Sequence, residues 1–143
     1  MLVQKLKKIN QLMLPGKLYY SPKWIVLGVN NLCNLHCKMC DVGTQYNKSN
    51  FFTNLMGSKP VNMPKDLIWK IIDQTARFFP GTKLGYGFTE PLIYPHLIES
   101  LEYANQLGVY TSITTNGLNL RKQAEGLVKS GLNDILSFAG WST

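Results

Sequence analysis

Short apolar runs alternate along the chain with longer segments whose apolar residues recur every three or four positions. In residues 2–13, Leu2, Val3, Leu6, Ile9 and Met13 share one helical face, and Lys5, Lys7 and Lys8 lie elsewhere on the turn, which predicts an amphipathic helix. Such a helix can lie on a membrane or a nucleic acid, but packing on the domain that follows is its commoner fate. Pro15-Gly16 stops it. Residues 1–20 therefore read as a leading helix and linker, and 21–143 as one domain. Within that domain Trp24-Ile25-Val26-Leu27-Gly28-Val29 is short and continuously apolar, the pattern of a strand buried on both faces.

A polar and aromatic stretch over 42–62 follows, long enough for a functional loop. Asn62-Met63-Pro64 then offers a cap and a first-turn proline to a helix in which Leu67, Ile68, Ile71, Ile72 and Thr75 repeat at helical spacing as far as Phe79. After Pro80-Gly81, residues Lys83 to Phe88 predict a second strand with Gly85 and Gly87 on one side and Leu84, Tyr86 and Phe88 on the other. Glycines sharing a face point to close approach of something to the backbone. Pro95 opens a helix through Leu97, Ile98, Leu101 and Ala104, closed by Gly108. Val109 to Thr115 form a third strand, with Val109 and Ile113 toward the helices and Tyr110, Ser112 and Thr114 opposite. Asn116-Gly117 turns the chain into a helix over 121–130 carrying Ala124, Leu127 and Val128, with Gly131 at its C-cap. The fourth strand runs from Asp134 to about Phe138.

Strand and helix alternate throughout, which predicts right-handed parallel β/α units, an α/β sheet. Functional groups in such sheets collect at the C-terminal ends of the strands. Four polar clusters land on that edge: the cysteine-bearing segment after the first strand, Thr89-Glu90-Pro91 after the second, Thr114-Thr115-Asn116 after the third and Ser137 at the end of the fourth. Together they predict a site.

Composition changes this picture little. A chain of 143 residues with 45% hydrophobic and 16% charged residues is an ordinary globular protein. The net charge of +7 would suit nucleic acid, an anionic membrane surface or acidic substrates. However, Lys5, Lys7, Lys8, Lys17, Lys23, Lys48 and Lys59 form no stripe with interleaved aromatics. No run of apolar residues is long enough to span a membrane. The N-terminal lysines interrupt the stretch a signal peptide would need, so a cytoplasmic location is expected.

The chemistry is concentrated in Cys33-Asn34-Leu35-His36-Cys37-Lys38-Met39-Cys40, which holds all 3 cysteines of the chain. Thiolates spaced C-x3-C-x2-C can wrap one corner of a cube, so that three irons of a 4Fe-4S cluster each receive one sulfur. The fourth iron would then be open to a small molecule. Zinc is the alternative, with His36 or Asp41 recruited, but structural zinc usually draws on two separated ligand pairs and no second pair exists. A disulfide would leave one cysteine over.

With these residues placed, the sequence resembles the radical S-adenosylmethionine (SAM) superfamily from about Trp24 to Gly140. The cysteine spacing carries most of the resemblance, with Asn31, Asn34 and Leu35 beside it. Gly87-Phe88-Thr89-Glu90-Pro91-Leu92-Ile93-Tyr94-Pro95 looks like the Gly-Gly-Glu region, and Thr114-Thr115-Asn116-Gly117 like the third-strand motif of many members. The resemblance implies that Cys33, Cys37 and Cys40 ligate three irons and that SAM chelates the fourth through its amino and carboxylate groups. Met39 would pack near the adenine. Thr89 and Glu90 would help hold the methionine amino group, Thr114, Thr115 and Ser137 would serve the carboxylate and ribose, and Gly87 and Asn116 would complete the cofactor-binding set. The reduced cluster would cleave SAM to a 5'-deoxyadenosyl radical that abstracts hydrogen from a substrate, with electrons from a donor such as flavodoxin or ferredoxin.

Two departures stand out. Thr89 replaces the second glycine of Gly-Gly-Glu, and Ser137-Phe138-Ala139-Gly140 lacks the acidic residue of many relatives. Four strands are also fewer than the six of the family's partial TIM barrel, so the chain reads as the first part of a truncated core. A second chain completing the barrel is then an expected partner, and the bare sheet edge predicts poor stability or self-association. The competing readings are a non-catalytic iron-sulfur fragment of a split gene and a zinc-containing nucleic-acid module.

Overall fold

A computed structural model describes residues 21–35, 37, 40 and 61–137. The helix expected over 2–13, most of the loop expected over 42–62, and His36, Met39, Phe138 and Trp141 lie outside the described residues. Among the described residues four strands alternate with three helices: β1 (Trp24–Leu27), α1 (Lys65–Phe78), β2 (Lys83–Tyr86), α2 (Leu97–Gln106), β3 (Thr111–Thr115), α3 (Leu120–Lys129) and β4 (Asp134–Ser137). A 3-10 turn, Pro91–Ile93, precedes α2. The strands form one parallel sheet in the order β1-β2-β3-β4. Parallel neighbours need a crossover between them, and each helix supplies one.

One face of the sheet is covered. Leu27, Leu84, Tyr86 and Ile113 project from it into a core completed by Ile68 and Ile72 of α1, Leu97, Leu101 and Ala104 of α2, and Leu127 of α3. Tyr86 is fully enclosed, and its hydroxyl donates to Ser100 Oγ at 3.2 Å, which gives the buried phenol the partner it requires. Thr75, also buried, returns its hydroxyl to the Ile71 carbonyl at 2.8 Å within α1.

Among the described residues no helix covers the other face. Trp24 is 45% exposed and Val26 49%, so β1 is buried on one face and not on both. Register sets the rows of this second face: Trp24 pairs with Lys83, Val26 with Gly85 and Gly85 with Ser112, while Ser112 pairs with Asp134 and Thr114 with Leu136. A Cβ added at Gly85 would touch Ser112, Val26 and Trp24, and one at Gly87 would touch Val26 and Thr114, each at 3.5 Å or more. Both glycines therefore look onto this face, as the alternation predicts. At its base the Lys83 ammonium lies over the rings of Tyr110 and Trp24, 4.2 and 5.2 Å from their centroids.

Several expectations change. Phe88 does not join Leu84 and Tyr86 in the core: its φ is 67°, in the left-handed region, and it is 60% exposed. That twist turns the side chain off the strand's alternation, and its ring comes to lie 3.9 Å from where a Cβ on Gly28 would sit. Asn62 does not cap α1; it bridges to Asn30, and Pro64 takes the N-cap position without a side-chain hydrogen bond. Val128 is exposed, so only Leu127 of that pair enters the core. Gly131 does follow α3 with a φ of 75°, the left-handed conformation a C-cap glycine supplies.

Candidate functional site

Beyond β1 the chain enters the cysteine loop through Asn30, which is 7% exposed. Its side-chain oxygen accepts the Leu32 N–H at 2.9 Å, an Asx turn that starts the loop. Its Nδ2 donates to the Glu90 carbonyl at 3.0 Å. In return the Glu90 N–H donates to the Leu32 carbonyl at 2.9 Å, and the Thr89 hydroxyl donates to the Asn30 carbonyl at 3.0 Å. Residues 30–32 are thus laced to residues 89–90 by backbone and side chain together. On the other side, the Asn31 N–H donates to the Val61 carbonyl at 3.1 Å and the Met63 N–H to the Val29 carbonyl at 2.7 Å.

Glu90 is the hub of the edge. It is 1% exposed, and a buried carboxylate is costly unless donors surround it. Three do. Oε1 accepts the Leu92 N–H at 2.8 Å and the Thr115 hydroxyl at 2.7 Å, and Oε2 accepts the Asn116 N–H at 2.8 Å. The carboxylate therefore caps the 3-10 turn and ties β2 to the end of β3. The carboxylate is turned into the protein, where these three donors hold it.

Asn116 carries the network back to the cysteines. Its Oδ1 accepts the Leu118 N–H at 3.0 Å, which points its Nδ2 the other way, 2.7 Å from Asn34 Oδ1 and 3.7 Å from Cys33 Sγ. Thr115, besides donating to Glu90, accepts the Gly117 N–H at 3.0 Å. Gly117 has a φ of 80° and lies against Ser137, whose Oγ would be 3.0 Å from an added Cβ.

The residues expected at the site fall into two groups. Cys33, Asn116, Thr115, Glu90 and Thr89 form the connected group, and Gly87 and Thr114 lie side by side on the open face. Thr114 makes no side-chain hydrogen bond among the described residues. Ser137 pairs in register with Thr115, so Leu136, and not Ser137, continues the row of Thr114. Two contributors were not singled out from the sequence. Asn30 gave no signal beyond its place at a strand end, and Phe88 read as one more core residue of an apolar run.

Cys33, Cys37 and Cys40 are each half-buried. The Cys40 N–H donates to the Cys37 carbonyl at 3.0 Å, a tight turn between the last two. Burial pushes the Cys33 thiol above its ordinary value; a backbone hydrogen bond at Leu35 and the Asn116 amide pull it back, and the charges of Glu90 and Cys40 add to the rise. The protein alone thus favours the neutral thiol, and a bound cation is what would draw the thiolate out. Among the described residues no three Cys, His, Asp or Glu side chains are grouped to hold a single metal ion. A cube makes a different demand, since each of its cysteines binds a separate iron. Three half-buried thiols on one short loop fit that donor set.

Comparison with known proteins places these features. Over 97 residues the chain is 29% identical to a tungsten-containing aldehyde ferredoxin oxidoreductase cofactor-modifying protein of Pyrococcus furiosus, covering 66% of this chain and 24% of that protein. Over 90 residues it is 32% identical to an S-adenosylmethionine-dependent nucleotide dehydratase of Flammeovirga pacifica, covering 63% and 29%. The chain thus spans less than a third of either relative. Among solved structures, BtrN in complex with AdoMet and 2-DOIA superposes with a TM-score of 0.68 at 19% identity, covering 89% of this chain and 48% of BtrN. Streptococcus suis SuiB bound to S-adenosylmethionine superposes with a TM-score of 0.63 at 24% identity, covering 94% and 27%. These likenesses identify the four-stranded sheet as part of a TIM-barrel-like core. No described helix is long and apolar enough to cross a membrane. The Radical SAM superfamily model matches residues 28–139, from the end of β1 through β4, and with most of its length matched the chain belongs to that superfamily, whose enzymes use a 4Fe-4S cluster and SAM.

Proposed function

We propose that this chain provides the cluster- and SAM-binding part of a radical SAM enzyme, with Cys33, Cys37 and Cys40 holding three irons of a 4Fe-4S cluster. Once bound, the cluster and SAM supply reductive cleavage to a 5'-deoxyadenosyl radical for hydrogen abstraction from a substrate. The observation that carries this reading is the lacing of the cysteine loop to the ends of β2 and β3 through Asn30, Glu90 and Asn116. A loop bearing three thiols needs such fixing to offer its sulfurs at set positions, because supporting hydrogen bonds orient ligands.

The chain's own groups have separable tasks. Gly87 leaves the open face low beside Thr114, where SAM can approach the backbone. The Thr114 hydroxyl is the group available to a polar end of that ligand. Thr89, Glu90, Thr115 and Asn116 hold the frame. Met39 and Ser137 keep their proposed places near adenine and ribose. Electrons would come from a reduced carrier such as flavodoxin or ferredoxin, and a second chain or further strands beyond β4 would close the barrel.

The test is electron paramagnetic resonance of the anaerobically reconstituted, reduced chain with and without SAM. A 4Fe-4S signal that changes when SAM is added supports the reading. A cluster signal indifferent to SAM restricts this chain to cluster binding. Zinc bound in place of iron, or cluster assembly that survives loss of Cys33, Cys37 or Cys40, overturns it.

A further inference from the structure

We infer that Asn116 is a positioning residue for Cys33, and that its amide N–H donates to the sulfur and sets how readily the bound cluster accepts an electron. The inference rests on the cluster reading above. It is carried by the orientation of one side chain. The Asn116 backbone N–H is anchored on Glu90 Oε2 at 2.8 Å, and its Oδ1 receives the Leu118 N–H at 3.0 Å. With the oxygen held, the amino end has one direction left, and it divides between Asn34 Oδ1 at 2.7 Å and Cys33 Sγ at 3.7 Å. The opposite amide rotamer would set Nδ2 against the Leu118 N–H and Oδ1 against Asn34 Oδ1, donor against donor and acceptor against acceptor.

A donor aimed at a cluster sulfur withdraws electron density from it and favours the reduced, more negative state; hydrogen bonds to the sulfurs are among the levers that set cluster potentials. The Asn116 amide serves Cys33, while a Cys40 N–H to Cys37 carbonyl bond closes the turn between the other two. The third strand thus does more than close the sheet. It reaches across to one corner of the site, through a residue held by the carboxylate of Glu90, whose backbone carbonyl and N–H fix the cysteine loop from the other side.

The experiment is a redox titration of the reconstituted protein followed by electron paramagnetic resonance, for the unmodified chain, Asn116→Ala and Asn34→Ala. Asn116→Ala is expected to shift the oxidised-to-reduced ratio at a fixed potential about threefold to tenfold toward the oxidised form, tenfold being about 59 mV for one electron. Asn34→Ala removes only the competing acceptor and is expected to leave the ratio unchanged or move it the opposite way. Pulsed measurements on the unmodified chain grown with 15N-asparagine supply a readout that needs no substitution: a weak 15N coupling to the cluster that persists in Asn34→Ala. Absence of that coupling, or equal shifts in both variants, overturns the inference and leaves the cluster assignment standing. Failure of the unmodified chain to assemble a cluster overturns the functional reading first, and the inference with it.

Discussion

The Thr115 hydroxyl donates to the Glu90 carboxylate at 2.7 Å across the C-terminal edge of the sheet, with Glu90 1% exposed and Thr115 3%. Two residues 25 positions apart thereby lock the loop after β2 to the end of β3.

Glu90→Gln is expected to destabilise the chain by about 1–3 kcal/mol, because an amide nitrogen in place of either oxygen faces a protein donor inside the fold. Glu90→Ala should cost more, since it leaves the Leu92 and Asn116 N–H groups without their acceptor. Thr115→Val, which removes the donor to Glu90 and the acceptor of the Gly117 N–H, should cost about 1–2 kcal/mol. Urea denaturation ranks the three, and a Glu90→Ala chain as stable as the unmodified one would refute the hub assignment.

Phe88 holds a φ of 67° with its ring 60% exposed. A left-handed conformation costs a residue with a Cβ about 1–2 kcal/mol, and glycine escapes that cost. Phe88→Gly is therefore expected to be about 1 kcal/mol more stable than Phe88→Ala, which keeps the strain and loses the ring. Thermal melts of the two variants side by side measure the difference; the reverse order would mean that φ changes readily at this position.

Gly87→Ala separates folding from binding. Its Cβ would meet Val26 Cγ1 at 3.6 Å and Thr114 Cβ at 3.7 Å, ordinary contact distances, so the melting temperature should hardly move. The same methyl stands on the open face where SAM is proposed to approach. Anaerobic calorimetry with SAM is expected to show binding weakened about tenfold, and undiminished affinity would place the ligand elsewhere.

Burial pushes the Tyr86 hydroxyl up to about 12, against an ordinary value of 10.0, and its bond to Ser100 only partly offsets the rise. The folded state therefore keeps this proton where the unfolded chain releases it. The resulting stability is fully present below pH 10 and is lost between about pH 10 and pH 12, by about 2–3 kcal/mol at 1.36 kcal/mol per unit. Tyr86→Phe should be less stable at neutral pH by about 1 kcal/mol, the loss of one hydrogen bond, and should show a flatter alkaline profile. Parallel profiles for the two chains would contradict this.

What the sequence determined by itself is local and periodic. Continuous apolar runs such as Trp24 to Val29 and repeats such as Ile68, Ile72 and Thr75 determine strands and helices, because burial selects the period. Their alternation determines a parallel sheet and hence the edge on which Cys33, Glu90, Thr115 and Asn116 meet. The three cysteines, confined to one short segment, carry the proposed cluster chemistry without reference to any fold. Tertiary structure decided which way polar side chains turn. Glu90 stood out as a polar residue on the site edge, but its inward turn was not legible, since the donors that satisfy it come from Leu92, Thr115 and Asn116 and only the packed sheet assembles them. Phe88 looked like core, yet a single left-handed φ removes it from the strand's alternation. Asn30 looked like an ordinary loop asparagine and Asn116 like part of a ligand-binding turn until hydrogen bonds spanning 60 and 83 positions tied them to Glu90 and Cys33. Periodicity reports which faces avoid water; it carries no information about which distant donor meets which acceptor, and that pairing exists only once the strands stand side by side.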